Sequence, residues 1–182
     1  MLKLPTAIPD VIHLRPVLHT DLRGDFMETY QQEQYAKLGI SMEFVQDNLV
    51  HSKKHVFRGL HFQLPPYEQA KLITVISGEI LDFVLDMRSN SDTFLQQVRI
   101  TLSAAENDQL YIPAGFAHGY YVLSENSCIS YKVSKPYVPE YQAGIRWDDE
   151  QLGLAKYISN PILSNNDKKL PTLNEILSKY TF

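Results

Sequence analysis

Between residues 71 and 134 turn signals recur too closely for the helical crossovers of a parallel α/β sheet. "KLITVIS" (71–77) is rich in β-branched and apolar residues and meets "GEILDFVLDMR" (78–88) through the turn signal Gly78. "SNSD" (89–92) breaks the pattern, "LQQVRITL" (95–102) resumes it, and "SAAEND" (103–108) breaks it again. "QLYIP" (109–113), "HGYYVLS" (118–124) and "SCISYKVS" (127–134) close the run. Short apolar runs at roughly 8–12-residue spacing, divided by turn signals, predict an all-β sandwich or barrel. Parallel strands need crossovers of about a dozen residues or more, usually helical, and these gaps leave no room for them.

Helix is expected only at the margins. "TYQQEQYAKLG" (29–39) suits one short helix stopped by Gly39. In "TLNEILSKY" (172–180), Thr172 and Glu175 have capping-box spacing. Leu173, Ile176, Leu177 and Tyr180 fall on one face of that helix, which should lie across the outside of the barrel. No repeat, low-complexity tract or linker divides the 182 residues, so a single domain over 1–182 is expected.

Composition excludes several classes of function. A net charge of -4 and a pI near 5.8 argue against a general nucleic-acid binder. No stretch approaches the roughly 18 apolar residues of a membrane span. Cys128 is the single cysteine, so no internal disulfide can form, which fits a reducing compartment. The start "MLKLPTAIPDVIHL" lacks the apolar centre of a signal peptide. The chain reads as cytoplasmic.

The six histidines differ in what surrounds them. His13 and His19 have no nameable partner. His51 and His55 lie among lysines in "HSKKHVFRG", where a solvated loop is the default. His118 sits in "PAGFAHG", which has the form of the second half of a metal-cupin signature, but the first half is incomplete. Where a second histidine belongs, two residues after His61, the chain has Gln63. A degenerate His61, Glu68, His118 site is conceivable, although the spacing from Glu68 to Gly78 is too long for that pattern. Catalytic zinc and iron sites want about three good ligands. His61 itself falls just ahead of the strand run.

Several segments, in order and over nearly the whole chain, resemble one family. They are "DLRGDFMETY" (21–30), "FVQDN" (44–48), "RGLHFQ" (58–63), "AKLI" (70–73), "GEILDFVLDMR" (78–88), "YIPAGFAHG" (111–119), "SYK" (130–132) and "LSNNDKKLP" (163–171). The family is that of the nucleotide-deoxysugar 3,5-epimerases, of dTDP-4-dehydrorhamnose 3,5-epimerase type. The resemblance implies a mainly β fold, a cupin-type double-stranded β-helix (jelly roll) with short peripheral helices, lacking the metal. It implies a nucleotide-linked 4-keto-6-deoxyhexose as substrate and no cofactor, on a route to a deoxysugar such as L-rhamnose for surface polysaccharide. The chain shows no dinucleotide-binding glycine pattern.

A hydrogen beside a ketone is acidic because the carbanion is delocalised as an enolate. Its removal from one face and return to the other needs a base, an acid and a cation near the ketone oxygen. By the resemblance, His61 is the base, and an imidazole, titrating near about 6.5, suits that work at neutral pH. Asp167 would hold its tautomer, Lys71 would sit near the ketone oxygen, and Tyr131 would serve as the acid on the opposite face. The tyrosine favours inversion at carbon 5 as well as carbon 3. Arg23 and Arg58 would hold the diphosphate. Phe26 would pack on the base with Glu28 close by, Gln46 and Asn48 would line the cleft, and His118 would contact the sugar or support the site. Arg23, Phe26 and Glu28 would be delivered across a two-fold homodimer by an N-terminal arm of about residues 1–45. The barrel is expected over about 46–150, and a C-terminal segment with its helix over about 151–182.

Three departures stand out. After "VQD" the family usually has asparagine, histidine, serine, and here Asn48, Leu49 and Val50 follow. Asn166 replaces a common lysine, and the usual tryptophan-proline is lost around Lys156 and Tyr157. They leave open an epimerase inverting carbon 3 alone or acting on another nucleotide sugar. A metal-dependent cupin enzyme and a non-catalytic sugar-binding cupin are the rivals of a different kind.

Overall fold

The computed structural model describes residues 1–180; the last two positions of the expected C-terminal segment lie outside the described residues. Four strands come first: β1 (Leu2–Leu4), β2 (Ile12–Arg15), β3 (Leu18–Asp21) and β4 (Gly24–Met27). Then follow α1 (Gln32–Lys37), β5 (Gln46–Lys53), β6 (Phe57–Gln63), β7 (Lys71–Ser77) and β8 (Glu79–Asp86). The chain continues through β9 (Gln97–Ser103), β10 (Gln109–Ile112), β11 (Phe116–Val122), β12 (Asn126–Val133), β13 (Gln142–Gly144) and α2 (Leu173–Lys179).

Two antiparallel sheets face each other. One runs β1-β2-β10-β7-β12-β5 and the other β13-β6-β11-β8-β9, while β3 and β4 form a separate hairpin. This is the expected jelly roll. Inward-facing residues of both sheets, among them Val75, Ile80, Val84, Leu110 and Ile129, meet in the core between them. Each such side chain contributes about 1.5–3 kcal/mol by leaving water.

Outer layers cover both sheets. α2 lays Leu173 and Ile176 against Phe57, Phe83 and Leu85 on the back of the five-stranded sheet. Its capping box forms as expected: Glu175 N–H donates to Thr172 Oγ1 at 3.3 Å, and Thr172 N–H donates to Glu175 Oε2 at 2.7 Å. Tyr35 of α1 and Ile40 pack on Leu14, Leu72 and Tyr111 of the other sheet. α1 is shorter than expected. Gln31 caps its start by accepting from Gln34 N–H, and Gly39 follows its end at φ +97°.

The strands β1 to β6 and β13 go beyond the sequence reading. His61 lies within β6, not ahead of the strands. His51 lies in β5, and His55, in the turn after it, bonds the Tyr121 hydroxyl through Nδ1 at 2.5 Å. His13 has a partner after all, with Nε2 2.7 Å from Asp108 Oδ1.

One close approach of backbones shapes the site. β6 and β11 pair with His118 opposite His61 and Tyr120 opposite Arg58, so β6 carries one extra residue between them. Gly59, at φ +123°, lies in that bulge, and a Cβ there would stand 2.5 Å from Gly119 Cα. Bulges re-aim side chains, and this one turns Arg58 and His61 to the same cleft.

Candidate active site

A cavity of about 290 Å³ opens between the sheets. Arg58 and His61 reach it from β6, Lys71 and Ile73 from β7, His118 and Tyr120 from β11, and Ile129 and Tyr131 from β12. Asp167 comes from a single 3-10 turn of the C-terminal segment, Asp167–Lys169. Ser164 holds that turn by accepting from Asp167 N–H at 3.0 Å.

The best-defined contact joins residues 106 positions apart: His61 Nε2 lies 2.7 Å from Asp167 Oδ1. Asp167 is buried and His61 half-buried. With the Nε2 proton given to the carboxylate, the lone pair rests on Nδ1. Such a ring can take up a proton while the carboxylate steadies the imidazolium.

Lys71 has no hydrogen-bond partner among the described residues. Burial pushes its ammonium down to about 8, and the charge of Asp82 works against that fall. A partly desolvated ammonium meets less competition from water, so its attraction for an anionic oxygen is strengthened. Tyr131 is raised, chiefly by burial, with Arg58 pulling the other way. Its phenol therefore stays protonated at neutral pH. Burial lowers His118, whose Nε2 lies 2.8 Å from Asp82 Oδ2.

Of the residues expected from the sequence, His61, Lys71, Tyr131, Asp167, Arg58 and His118 share this cavity. Gln46 and Asn48 do not line it. They sit on the edge strand β5, where Gln46 Nε2 donates to Asn48 Oδ1 at 2.8 Å and Gln46 Oε1 accepts from Tyr137 N–H at 3.2 Å. Arg23, Phe26 and Glu28 also lie outside it. Arg23 pairs with Asp21, and Phe26 is 68% exposed on the hairpin. The degenerate metal triad does not assemble, because Glu68 turns to Lys135 at 3.5 Å. Among the described residues no group of three or more His, Cys, Asp or Glu could hold a metal ion.

Some lining residues escaped the sequence reading. Gln63 donates to Tyr67 O and accepts from Val138 N–H at 2.7 Å, bracing the loop that carries Tyr137. Tyr137 lines the cavity and bonds Gln142. Its signal was an aromatic residue between prolines directly after a strand, in "SKPYVPEY".

A jelly roll with a histidine–carboxylate pair, a lysine and a tyrosine around one cleft is suited to an isomerase that moves protons beside a carbonyl. The family model for dTDP-4-dehydrorhamnose 3,5-epimerase matches residues 5–175. The Salmonella typhimurium dTDP-4-dehydrorhamnose 3,5-epimerase is 44% identical over 97% of this chain and 98% of its own. The Legionella pneumophila dTDP-6-deoxy-D-glucose-3,5-epimerase RmlC, solved in complex with dTDP-4-keto-L-rhamnose, superimposes with a TM-score of 0.92 at 38% identity, covering 98% of this chain and 95% of that one. ChmJ from Streptomyces bikiniensis, a 3'-monoepimerase, was solved with dTDP as a double mutant, histidine to asparagine and tyrosine to phenylalanine. It superimposes with a TM-score of 0.87 at 28% identity, covering 97% of this chain and 91% of that one. The chain belongs to the dTDP-4-dehydrorhamnose 3,5-epimerase family.

Proposed function

We infer that the protein epimerises a nucleotide-linked 4-keto-6-deoxyhexose at carbons 3 and 5, converting dTDP-4-dehydro-6-deoxyglucose to dTDP-4-dehydro-L-rhamnose. His61 Nδ1 takes the hydrogen from the carbon beside the ketone, and the electron pair moves onto the ketone oxygen. Lys71 donates to the enolate oxygen that results. Tyr131 returns a proton from the opposite face, and solvent restores the phenol from the imidazolium. Arg58 takes the diphosphate. The observation that carries this reading is the 2.7 Å His61–Asp167 pair beside Lys71 and Tyr131 in one cavity.

Arg23, Phe26 and Glu28 complete the site of a second copy in a homodimer. What supports this is the place of Arg23 and Phe26 on an exposed hairpin, with exposed Glu28 just after it, all clear of the chain's own cavity. A cytoplasmic setting fits the single cysteine, and among the described residues no helix is long and apolar enough to cross a membrane.

A monoepimerase relative also carried a histidine and a tyrosine to replace, so Tyr131 alone does not decide between one inversion and two. Turnover of the keto sugar in deuterated water decides it. Label is expected at both carbon 3 and carbon 5. Label confined to carbon 3 would mean a single inversion.

A further inference from the structure

β8 reads "EILDFVLD", and one acid falls on its apolar phase. Asp82 shares the inward face with Ile80 and Val84, both in the core between the sheets. It is fully buried. Oδ2 lies 2.8 Å from His118 Nε2, while Oδ1 has no hydrogen-bond partner among the described residues. An acid in an apolar row is costly unless it is paired and hydrogen-bonded.

We propose that Asp82 is a positioning residue of the epimerase, a buried anion that fixes the Lys71 cation and the His118 tautomer behind the sugar. This rests on the reading in which Lys71 stabilises the enolate. His118 gives its Nε2 proton to Asp82, and burial keeps the ring from gaining a second one. Nδ1 therefore keeps a lone pair. Lys71 lines the same cavity as His118, whose ring Asp82 holds from behind, and the charge of Asp82 offsets part of the desolvation of Lys71. One carboxylate so sets a donor for the ketone oxygen and an acceptor for a neighbouring hydroxyl. The other titratable or charged groups lining the cavity with Lys71 are His61 and Arg58 on β6, Tyr131 on β12, His118 and Tyr120 on β11, Tyr137 in the loop after β12, and Asp167 on the C-terminal turn.

The test compares Asp82→Asn with the parent protein. Exchange at carbon 3 of the dTDP-linked 4-keto sugar is followed against pH in deuterated water. In a second measurement, without substrate, the Lys71 ammonium is titrated by NMR and assigned by its absence in Lys71→Met. The basic limb of exchange and the Lys71 titration should both move to lower pH by about one unit. At pH 8, kcat should fall about tenfold or more with KM changed by less than about threefold. A limb and titration that stay in place overturn the proposal, whatever happens to the rate. Should Asp82→Asn fail to fold, Lys71→Met/Asp82→Asn is compared with it. Recovery greater than the gain of Lys71→Met in the parent protein supports the link to Lys71, and recovery no greater than that gain overturns it. Retained exchange in His61→Ala would instead sink the base assignment, while the NMR titration would still report on Asp82.

Discussion

Two histidine–aspartate pairs lie across one strand boundary, and they make opposite uses of the same chemistry. His61 and His118 face each other in register, with their carboxylates at 2.7 and 2.8 Å. The His61 side chain is 28% exposed and its aspartate 5%; the His118 side chain is 10% exposed and its aspartate 0%. Asp167 arrives on a turn outside the barrel, whereas Asp82 grows from the barrel wall. The rim pair opens onto the cavity, where the proposed substrate would meet it. In the buried pair a second imidazole proton is opposed by desolvation, so that pair holds one state. On the proposed roles, burial and not residue type separates the base from the fixed acceptor.

The strongest attempt to break this contrast is His61→Ala. Exchange at both sugar carbons should fall by about 10⁴-fold, the upper end for a positioned base. The buried Asp167 carboxylate loses its ring partner, so the thermal midpoint should fall by several degrees while the fold is kept. Exchange that survived intact would move the base elsewhere.

Asp167→Asn sharpens the same contrast with a smaller effect. The amide can still accept from Nε2–H, but it offers no charge to the imidazolium as it forms. A fall of about 10³-fold in kcat is expected, with KM nearly unchanged, within the usual range for acid–base catalysis. An equal loss in KM would instead mark Asp167 as a binding group.

How far the sequence disclosed these regions follows from how each is packed. β7 to β12 were legible because their turns are marked and their inward residues are apolar. The hairpin β3–β4 has an almost wholly exposed face pattern, so no periodicity distinguishes it. β5 is an edge strand with half-buried and exposed residues in alternation, and its lysine read as loop, although lysine on an edge is how sheets avoid pairing further. In the site, no local pattern joins His61 to Asp167. Only the ordered family segments suggested it, since nothing in the intervening residues encodes where the C-terminal turn docks. Asp82 was legible in principle, as an acid out of phase in an apolar strand, yet no partner for it could be named without the register of β8 on β11.

The smallest effect of these three comes from Lys71→Met, which sets function against stability at one position. Loss of the ammonium should slow exchange about 10²-fold, the lower end for removing one oxyanion donor. The fold should nonetheless gain. In the unfolded chain the lysine holds its proton up to about 10.5, and in the folded protein only to about 8. Folding therefore works against the charged form at every pH below about 8, with the attraction of Asp82 already included. As pH rises from about 8 towards 10.5 the folded lysine goes neutral first, and the penalty fades. Methionine is close in volume and carries no charge. The variant should be more stable by about 1 kcal/mol at pH 7, or about 2–4 °C in thermal midpoint for a domain of this size. That gain should shrink when the melts are repeated at pH 9.5. A midpoint that drops instead, or a gain that ignores pH, would show that Lys71 stands in water and is no counterpart to the buried half of the site.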